Sequence, residues 1–191
     1  MDALTQQLLQ QLSGGGLSQI SRQIGADENA TKSALSTAMP LLVAALANNA
    51  SKPKGAQALH KALSSDHDGS VLDNLSGFLK NPMVANGAGI LKHVLGAKQT
   101  AVNKGLSKTS GLSASQVSQL LAIAAPLIMG MLGKKQTQQG LDTSSLTDFL
   151  LGQKKAQQSE PDLSGAIGSL LGSGRGLGGA IGMLGSLLKK R

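Results

Sequence analysis

The chain contains no cysteine, tryptophan or tyrosine, and its only aromatic residues are Phe78 and Phe149. Without cysteine there is no disulfide framework, no thiolate metal site and no cysteine nucleophile. The core must therefore be made of Leu, Ala, Ile, Val and Met. Few side chains remain on which unpaired nucleic-acid bases could stack. These absences exclude the cysteine-dependent enzymes and argue against a base-stacking platform.

Charged residues are also scarce, at 15% of the 191 residues, against roughly 25% in an average soluble domain. Eighteen Lys and Arg against ten Asp and Glu give a net charge of +8. No acidic residue lies between Asp73 and Asp142, so this half of the chain is a candidate for contact with an anionic partner such as nucleic acid. The lysines that would make this contact are Lys92, Lys98, Lys104, Lys108, Lys134 and Lys135.

Side chains for catalysis are not grouped in the sequence. His60, His67 and His93 are scattered, without the spacing of a histidine metal site. No nucleophile, base and orienting group occur as a recognisable set. We therefore expect a non-enzymatic protein without a cofactor.

No membrane or export segment is evident in the sequence. The first residues lack a basic region followed by an apolar run and a cleavage site, so we expect a cytoplasmic protein. The apolar runs at 38–47 and 120–132 are shorter than the roughly 18 residues that a membrane span needs. We interpret both runs as buried core helices.

An internal repeat relates the two apolar runs. With an offset of 86 residues, 24–46 aligns with 110–132, and Gly25 falls on Gly111. The repeat predicts that the two halves of the chain contain related helical units.

The aligned positions include helix starts and prolines. Asp27 aligns with Ser113, and both are good N-cap residues; Gln116 adds a capping box to the second start. Pro40 aligns with Pro126, about three turns into each helix, where proline removes an amide donor. We predict a kink or a break in both helices at these prolines.

No segment alternates apolar and polar residues over the length of a strand, so the predicted fold is all-α. It is a multihelical bundle of two pseudo-repeated units, at about 16–63 and 98–151, with long kinked apolar core helices. Shorter helices are predicted at 2–12, 16–24, 55–63, 71–79, 87–95, 98–108 and 143–151.

The predicted all-α domain covers 1–152, and a polar linker follows at 153–162. The remaining 163–191 form a glycine-rich amphipathic tail in which "GAIGSLLG" recurs as "GAIGMLG". Small residues beside large apolar ones would allow close helix contact, shallow membrane insertion, or folding back over the core. The interaction residues of this tail are Ile167, Leu170, Leu171, Ile181, Leu184 and Leu188.

The segment "SSDHDGSVLDNL" places oxygen side chains at alternate positions, as a calcium loop does. Counting Asp66 as the first loop position puts Val71 where the turn needs glycine and Gly77 where a bidentate glutamate is needed. One interpretation is a turn in which Asp68 or Ser70 caps the next helix. The other is a weak calcium site made by Asp66, Asp68, Ser70 and Asp73.

Three motifs, "DHDGS", "GILKHVLG" and "APLIMG", occur in that order. With the segments around them they make residues 1–152 resemble the bacterial YidB-like family, a domain of unknown function. The resemblance implies an all-α fold and a bacterial source. It implies no activity, ligand or catalytic residue.

The sequence therefore predicts a helical interaction or scaffold protein, whose tail mediates self-association or docking to a protein partner. The alternative is a basic nucleic-acid-associated protein that uses the lysine-rich second unit. Weak calcium binding at residues 66–73 and peripheral membrane contact through the tail are further alternatives.

Overall fold

The computed structural model describes residues 3–158, which form ten α-helices and two short 3₁₀ turns, with no strand in that range. The predicted all-α class is therefore confirmed. The helices are α1 Ala3–Leu12, α2 Gly16–Ile24, α3 Glu28–Ala50, α4 Pro53–Ser65, α5 Ser70–Asp73, α6 Leu75–Lys80, α7 Gly87–Leu95, α8 Gln99–Ser110, α9 Ala114–Gln139 and α10 Thr143–Gln158.

The two long helices, α3 and α9, form the centre of the molecule and contact each other. Every residue is buried from Ala38 to Ala47 in α3 and from Ile123 to Gly133 in α9. A helix that is apolar on all sides must be surrounded by other elements, which here are the shorter helices. The prediction that both apolar runs are buried core helices is confirmed.

The two long helices also meet the length and composition of a membrane span. Glu28–Ala50 has 23 residues and Ala114–Gln139 has 26, because polar turns extend both apolar runs. Within their most apolar windows, 72% and 78% of the residues are buried inside the protein. Core helices of soluble proteins have the same properties, so length and composition are weak evidence for a membrane span.

Both helices continue through their prolines, so the predicted break is absent at Pro40 and at Pro126. Surrounding helices stabilise these turns by burying them, which offsets the loss of an amide donor. Pro126 cannot donate to the carbonyl of Ala122, and Gly87 at the start of α7 lies against that carbonyl oxygen. A side chain at Gly87 would collide with it.

The predicted helix caps are confirmed. Oδ1 of Asp27 accepts hydrogen bonds from the amides of Asn29 and Ala30, at 2.8 and 3.1 Å. Ser113 and Gln116 form the predicted capping box at the start of α9. The Nε2 of Gln116 also donates to the carbonyl of Gly25 at 2.7 Å, so the N-termini of α3 and α9 lie side by side.

Two predicted segments differ from the structure by more than the shift of one or two residues found at other helix ends. The helix predicted at 71–79 is divided at Asn74, whose side chain accepts a hydrogen bond from the amide of Gly77 and starts α6. The predicted linker at 153–162 is helical as far as Gln158, where the described part ends. Its polar composition suggested a linker, but Gln, Lys and Ala are good helix formers.

The last helix is held by packing as well as by propensity. Leu146 and Leu150 of α10 are buried, and α10 packs on α3 and α4. The Nζ of Lys154 donates to Oδ1 of Asn48 on α3 at 2.6 Å. The described chain therefore ends in a helix that is attached to the core.

Candidate interaction site

A turn and the short helix α5 cross the surface of α9, and we call residues 66–73 the crossing segment. The crossing is close because α9 has glycine at two positions. A side chain at Gly133 would collide with the carbonyl of His67, and one at Gly130 would collide with Val71. Within the segment, Gly69 adopts a φ of 106°, a conformation that favours glycine.

The four oxygen side chains considered for calcium serve different purposes in this segment. The carboxylate of Asp68 accepts a hydrogen bond from the amide of Ser70 at 3.0 Å, as the turn interpretation requires, and this bond lowers the pKa of Asp68. The carboxylate of Asp73 lies 2.6 Å from the Nζ of Lys134. Asp66 is exposed. Among residues 3–158, no three His, Cys, Asp or Glu side chains group in a way that could hold a metal ion.

His67 is a half-buried residue of the crossing segment, and it is the titratable one among the three that are half-buried. Burial lowers the pKa of His67 below 6.5, and the charges of Asp66 and Asp68 partly oppose this effect. The imidazole of His67 therefore stays neutral to a lower pH than that of a free histidine. His67 lies between two surface grooves.

The first of these grooves, the α4–α7 groove, has a volume of about 540 Å³. It runs between α4 and α7, with Lys52 and His93 beside it as well as Asp66 and His67. Its large apolar side chains come from four helices and are Leu46, Leu59, Ile90, Val94 and Met129.

Asn49 fixes the position of α7 at one end of this groove. The Nδ2 of Asn49 donates to the carbonyls of His93 and Val94, at 3.3 and 3.1 Å. His93 is a hydrogen-bonded helix residue, because its Nδ1 lies 3.0 Å from the carbonyl oxygen of Gly89. The groove is therefore preformed by hydrogen bonds between helices.

A second groove, of about 570 Å³, lies on the other side of His67. Phe78, Val84 and Pro126 contribute apolar surface to it. Beside it, Met83 is 82% exposed and Val84 is 74% exposed. The two grooves together give the surroundings of the crossing segment a concave surface with apolar side chains on both sides of His67.

The six lysines proposed for nucleic-acid binding do not form one patch. Lys92, Lys104 and Lys108 are exposed on α7 and α8. Lys134 pairs with Asp73, and the Nζ of Lys135 lies 4.8 Å from the centre of the Phe149 ring. Lys134 lies twenty residues, or about 30 Å of helix, after the start of α9. Since α8 ends just before that start, Lys134 is far from the lysine at the end of α8. Lys98 is also exposed, between α7 and α8.

The tail residues Ile167, Leu170, Leu171, Ile181, Leu184 and Leu188 lie outside the described residues. The groove residues were not predicted as a site. Ile90 and Val94 carry a local signal, since they are four residues apart on a helix. Their approach to Leu46, Leu59 and Met129 is a long-range contact that no local pattern indicates.

A family model described as a bacterial protein of unknown function, DUF937, matches residues 6–135. Because the match spans more than half of the chain, this protein belongs to that bacterial family. The predicted resemblance to a bacterial domain of unknown function is therefore confirmed. No curated protein and no solved structure matched the chain. Both grooves lie within the matched region, whereas α10 and the tail follow it.

Proposed function

We propose that this protein is a non-enzymatic helical interaction protein, in which a rigid core carries a tail that mediates self-association. The α4–α7 groove is the observation that supports this proposal. It is an apolar concavity on a buried helical core, and such a groove suits an amphipathic helix. The tail at 163–191 has the composition of such a ligand, with large apolar residues at helical spacing.

The core is suited to hold the tail in a defined place. Lys154 and Leu150 attach α10 to the core, so the chain continues from an anchored helix at Gln158. The core itself depends on the burial of α3 and α9, which lie before the tail in sequence. We therefore expect the core to fold without residues 162–191.

The same proposal includes the finer description of the core as two related units. Gly25 and Gly111 both adopt left-handed conformations, with φ of 66° and 75°. Each is followed two residues later by a helix cap, and each long helix has a proline twelve positions after its first residue. A duplicated unit accounts for these three features together.

Sedimentation velocity of the full chain and of a chain that ends at Pro161 tests the proposed function. We expect the full chain to form a dimer or larger species whose dissociation changes little between 0.05 and 0.5 M salt, because apolar contacts dominate. The shortened chain should be a folded monomer with the same helical circular dichroism. Self-association that persists in the shortened chain, or a full chain that stays monomeric, contradicts the proposal.

A second candidate function is nucleic-acid binding, which the exposed Lys92, Lys104 and Lys108 favour. Its test is the affinity for duplex DNA of Lys104→Gln with Lys108→Gln, compared with Lys32→Gln and Lys61→Gln on α3 and α4. If this function is right, only the first pair weakens binding, and affinity falls steeply as salt rises. Equal effects of both pairs, or no salt dependence, exclude it.

A further inference from the structure

We propose that residues 165–172, "GAIGSLLG", of a second copy bind as a helix in the α4–α7 groove, with the Arg175 that follows them placed near Asp66. This inference rests on the proposed self-association and names the surface that receives the tail. Its evidence is the length, the lining and the charge of the groove.

The groove and the segment have the same length. The groove extends along α4 from Gly55 to Ala62 and along α7 from Asn86 to Val94. These stretches of eight and nine residues are about 12 to 14 Å long at 1.5 Å per residue. As a helix, residues 165–172 would make about two turns with a length of about 12 Å, which matches the length of the groove.

The lining suits a helix that carries small and large residues in alternation. Ala58 is exposed in the groove and carries only a methyl group, so the backbone of a second helix can come close at this position. In the tail, Gly165, Ala166 and Gly168 allow the same closeness. The large side chains to be buried among the apolar groove residues are Ile167, Leu170 and Leu171.

The charges at the two ends of the groove define an orientation. Lys52 precedes α4 and Asp66 follows it, so a cation and an anion mark opposite ends of the groove. In the tail, Glu160 and Asp162 precede the segment, and Arg175 follows it. A segment parallel to α4 brings Arg175 to Asp66 and the two acidic residues to Lys52.

The chain outside the described part is long enough to supply this ligand. It has 33 residues, at 159–191, and begins where α10 ends on the core. A reciprocal exchange, in which each copy binds the tail of the other, closes with two-fold symmetry and leaves no groove empty. The expected assembly is therefore a dimer.

The test begins with Ala58→Arg, which fills the groove from an exposed position of α4 and does not alter the core. The control is Gln57→Arg, a neighbouring exposed residue of the same helix that does not line the groove. We expect sedimentation velocity to show a monomer for Ala58→Arg and a dimer for Gln57→Arg, with unchanged circular dichroism for both.

The orientation is tested by a charge exchange. Asp66→Lys and Arg175→Glu should each raise the dimer dissociation constant up to about fivefold, as expected for an exposed ion pair. The two substitutions together should restore it. If both single variants dimerise like the original chain, the proposed orientation is wrong.

The outcomes separate this inference from the proposed function. A tail-dependent dimer that Ala58→Arg leaves intact overturns the groove as the receiving surface and leaves tail-mediated association standing. A dimer that forms without the tail overturns both. Chemical cross-linking between position 58 and the tail separates one further outcome. If the full chain is a monomer and the cross-link joins two parts of the same molecule, the tail binds its own groove, and this also overturns the exchange.

Discussion

The helices α3 and α9 begin alike but differ in what crosses them. Each starts at a capped residue and has a proline at the same position. At the positions where α9 has Gly130 and Gly133, α3 has Ala44 and Ala47, both completely buried. The crossing segment lies against the two glycines of α9, whereas α3 is covered by helices.

The difference shows how two similar helices produce an asymmetric surface. Alanine is small enough for ordinary helix packing, but the backbone of a turn needs glycine to come closer. By receiving the crossing segment, α9 brings His67 and Asp66 to the end of the α4–α7 groove. The end of the groove that these two residues form is therefore a consequence of the glycines in the second long helix.

The largest effect is expected for Gly133→Ala, because its side chain would collide with the carbonyl of His67. We expect the free energy of unfolding to fall by about 3 kcal/mol, the upper range for overpacking. The control is Gly152→Ala in α10, where nothing lies within 4 Å of an added methyl group. That change should raise stability by up to about 1 kcal/mol. Urea unfolding of the two variants measures the difference, and equal stabilities would show that the crossing is not close.

The contact between the two helix starts should be the next most sensitive feature. Gln116→Ala removes two hydrogen bonds, one from the amide of Ser113 and one to the carbonyl of Gly25. We expect a loss of about 1 to 2 kcal/mol, against about 1 kcal/mol for Asp27→Ala, which affects α3 alone. Gln119→Ala, an exposed position of α9, is the control. If Gln116→Ala matches this control in a thermal melt, the two starts are not coupled.

A smaller effect is expected from His67, because burial of its side chain holds its pKa below 6.5. The unfolded state then binds the proton more strongly, so stability is full above pH 6.5 and decreases as the pH falls through the folded-state pKa. Melting temperatures at pH 7.5 and 5.5 should differ less in His67→Gln than in the original chain. His60→Gln should keep the full difference, and a His67→Gln variant that also keeps it would rule out this cause.

The lowered pKa values of Asp68 and Asp142 act in a different pH range. Hydrogen bonds from Ser70 and Ser145 stabilise the charged carboxylates. Their contribution is present above pH 3.8 and decreases below it as the carboxylates become protonated. It therefore does not interfere with a comparison between pH 7.5 and 5.5.

The smallest effect is expected for the ion pair of Asp73 and Lys134, whose side chains are 67% and 39% exposed. Asp73→Asn should lower the free energy of unfolding by no more than about 0.5 kcal/mol, and 1 M salt should remove the difference. Asp148→Asn on α10 provides a control for the loss of one exposed charge. A loss of several kcal/mol would mean that the crossing segment depends on this pair and not on the glycines.

The local features of the fold could be predicted from the sequence. The caps at Asp27 and Ser113 follow from residue type and spacing, and the two apolar runs identified the core helices. Asp68 was predicted as a turn residue for the same reason, because its hydrogen bond partner is two residues away. Each of these features depends on residues close together in the chain.

The candidate site could not be predicted in this way. Gly130 and Gly133 look like ordinary small residues within an apolar helix until His67 and Val71 are placed against them. The end of α10 was missed because a polar helix on the surface has the composition of a linker. In both cases the decisive contact joins parts of the chain that are far apart in sequence.

Hydrogen exchange, measured by mass spectrometry on the full chain and on the chain ending at Pro161, tests the central claim most directly. We predict equally slow exchange at 38–47 and 123–133 in both proteins, because the core does not need the tail. Exchange at 55–62 and 86–94, along the α4–α7 groove, should be slower when the tail is present. Unchanged exchange along the groove, or faster exchange in α3 and α9 after shortening, would contradict the account.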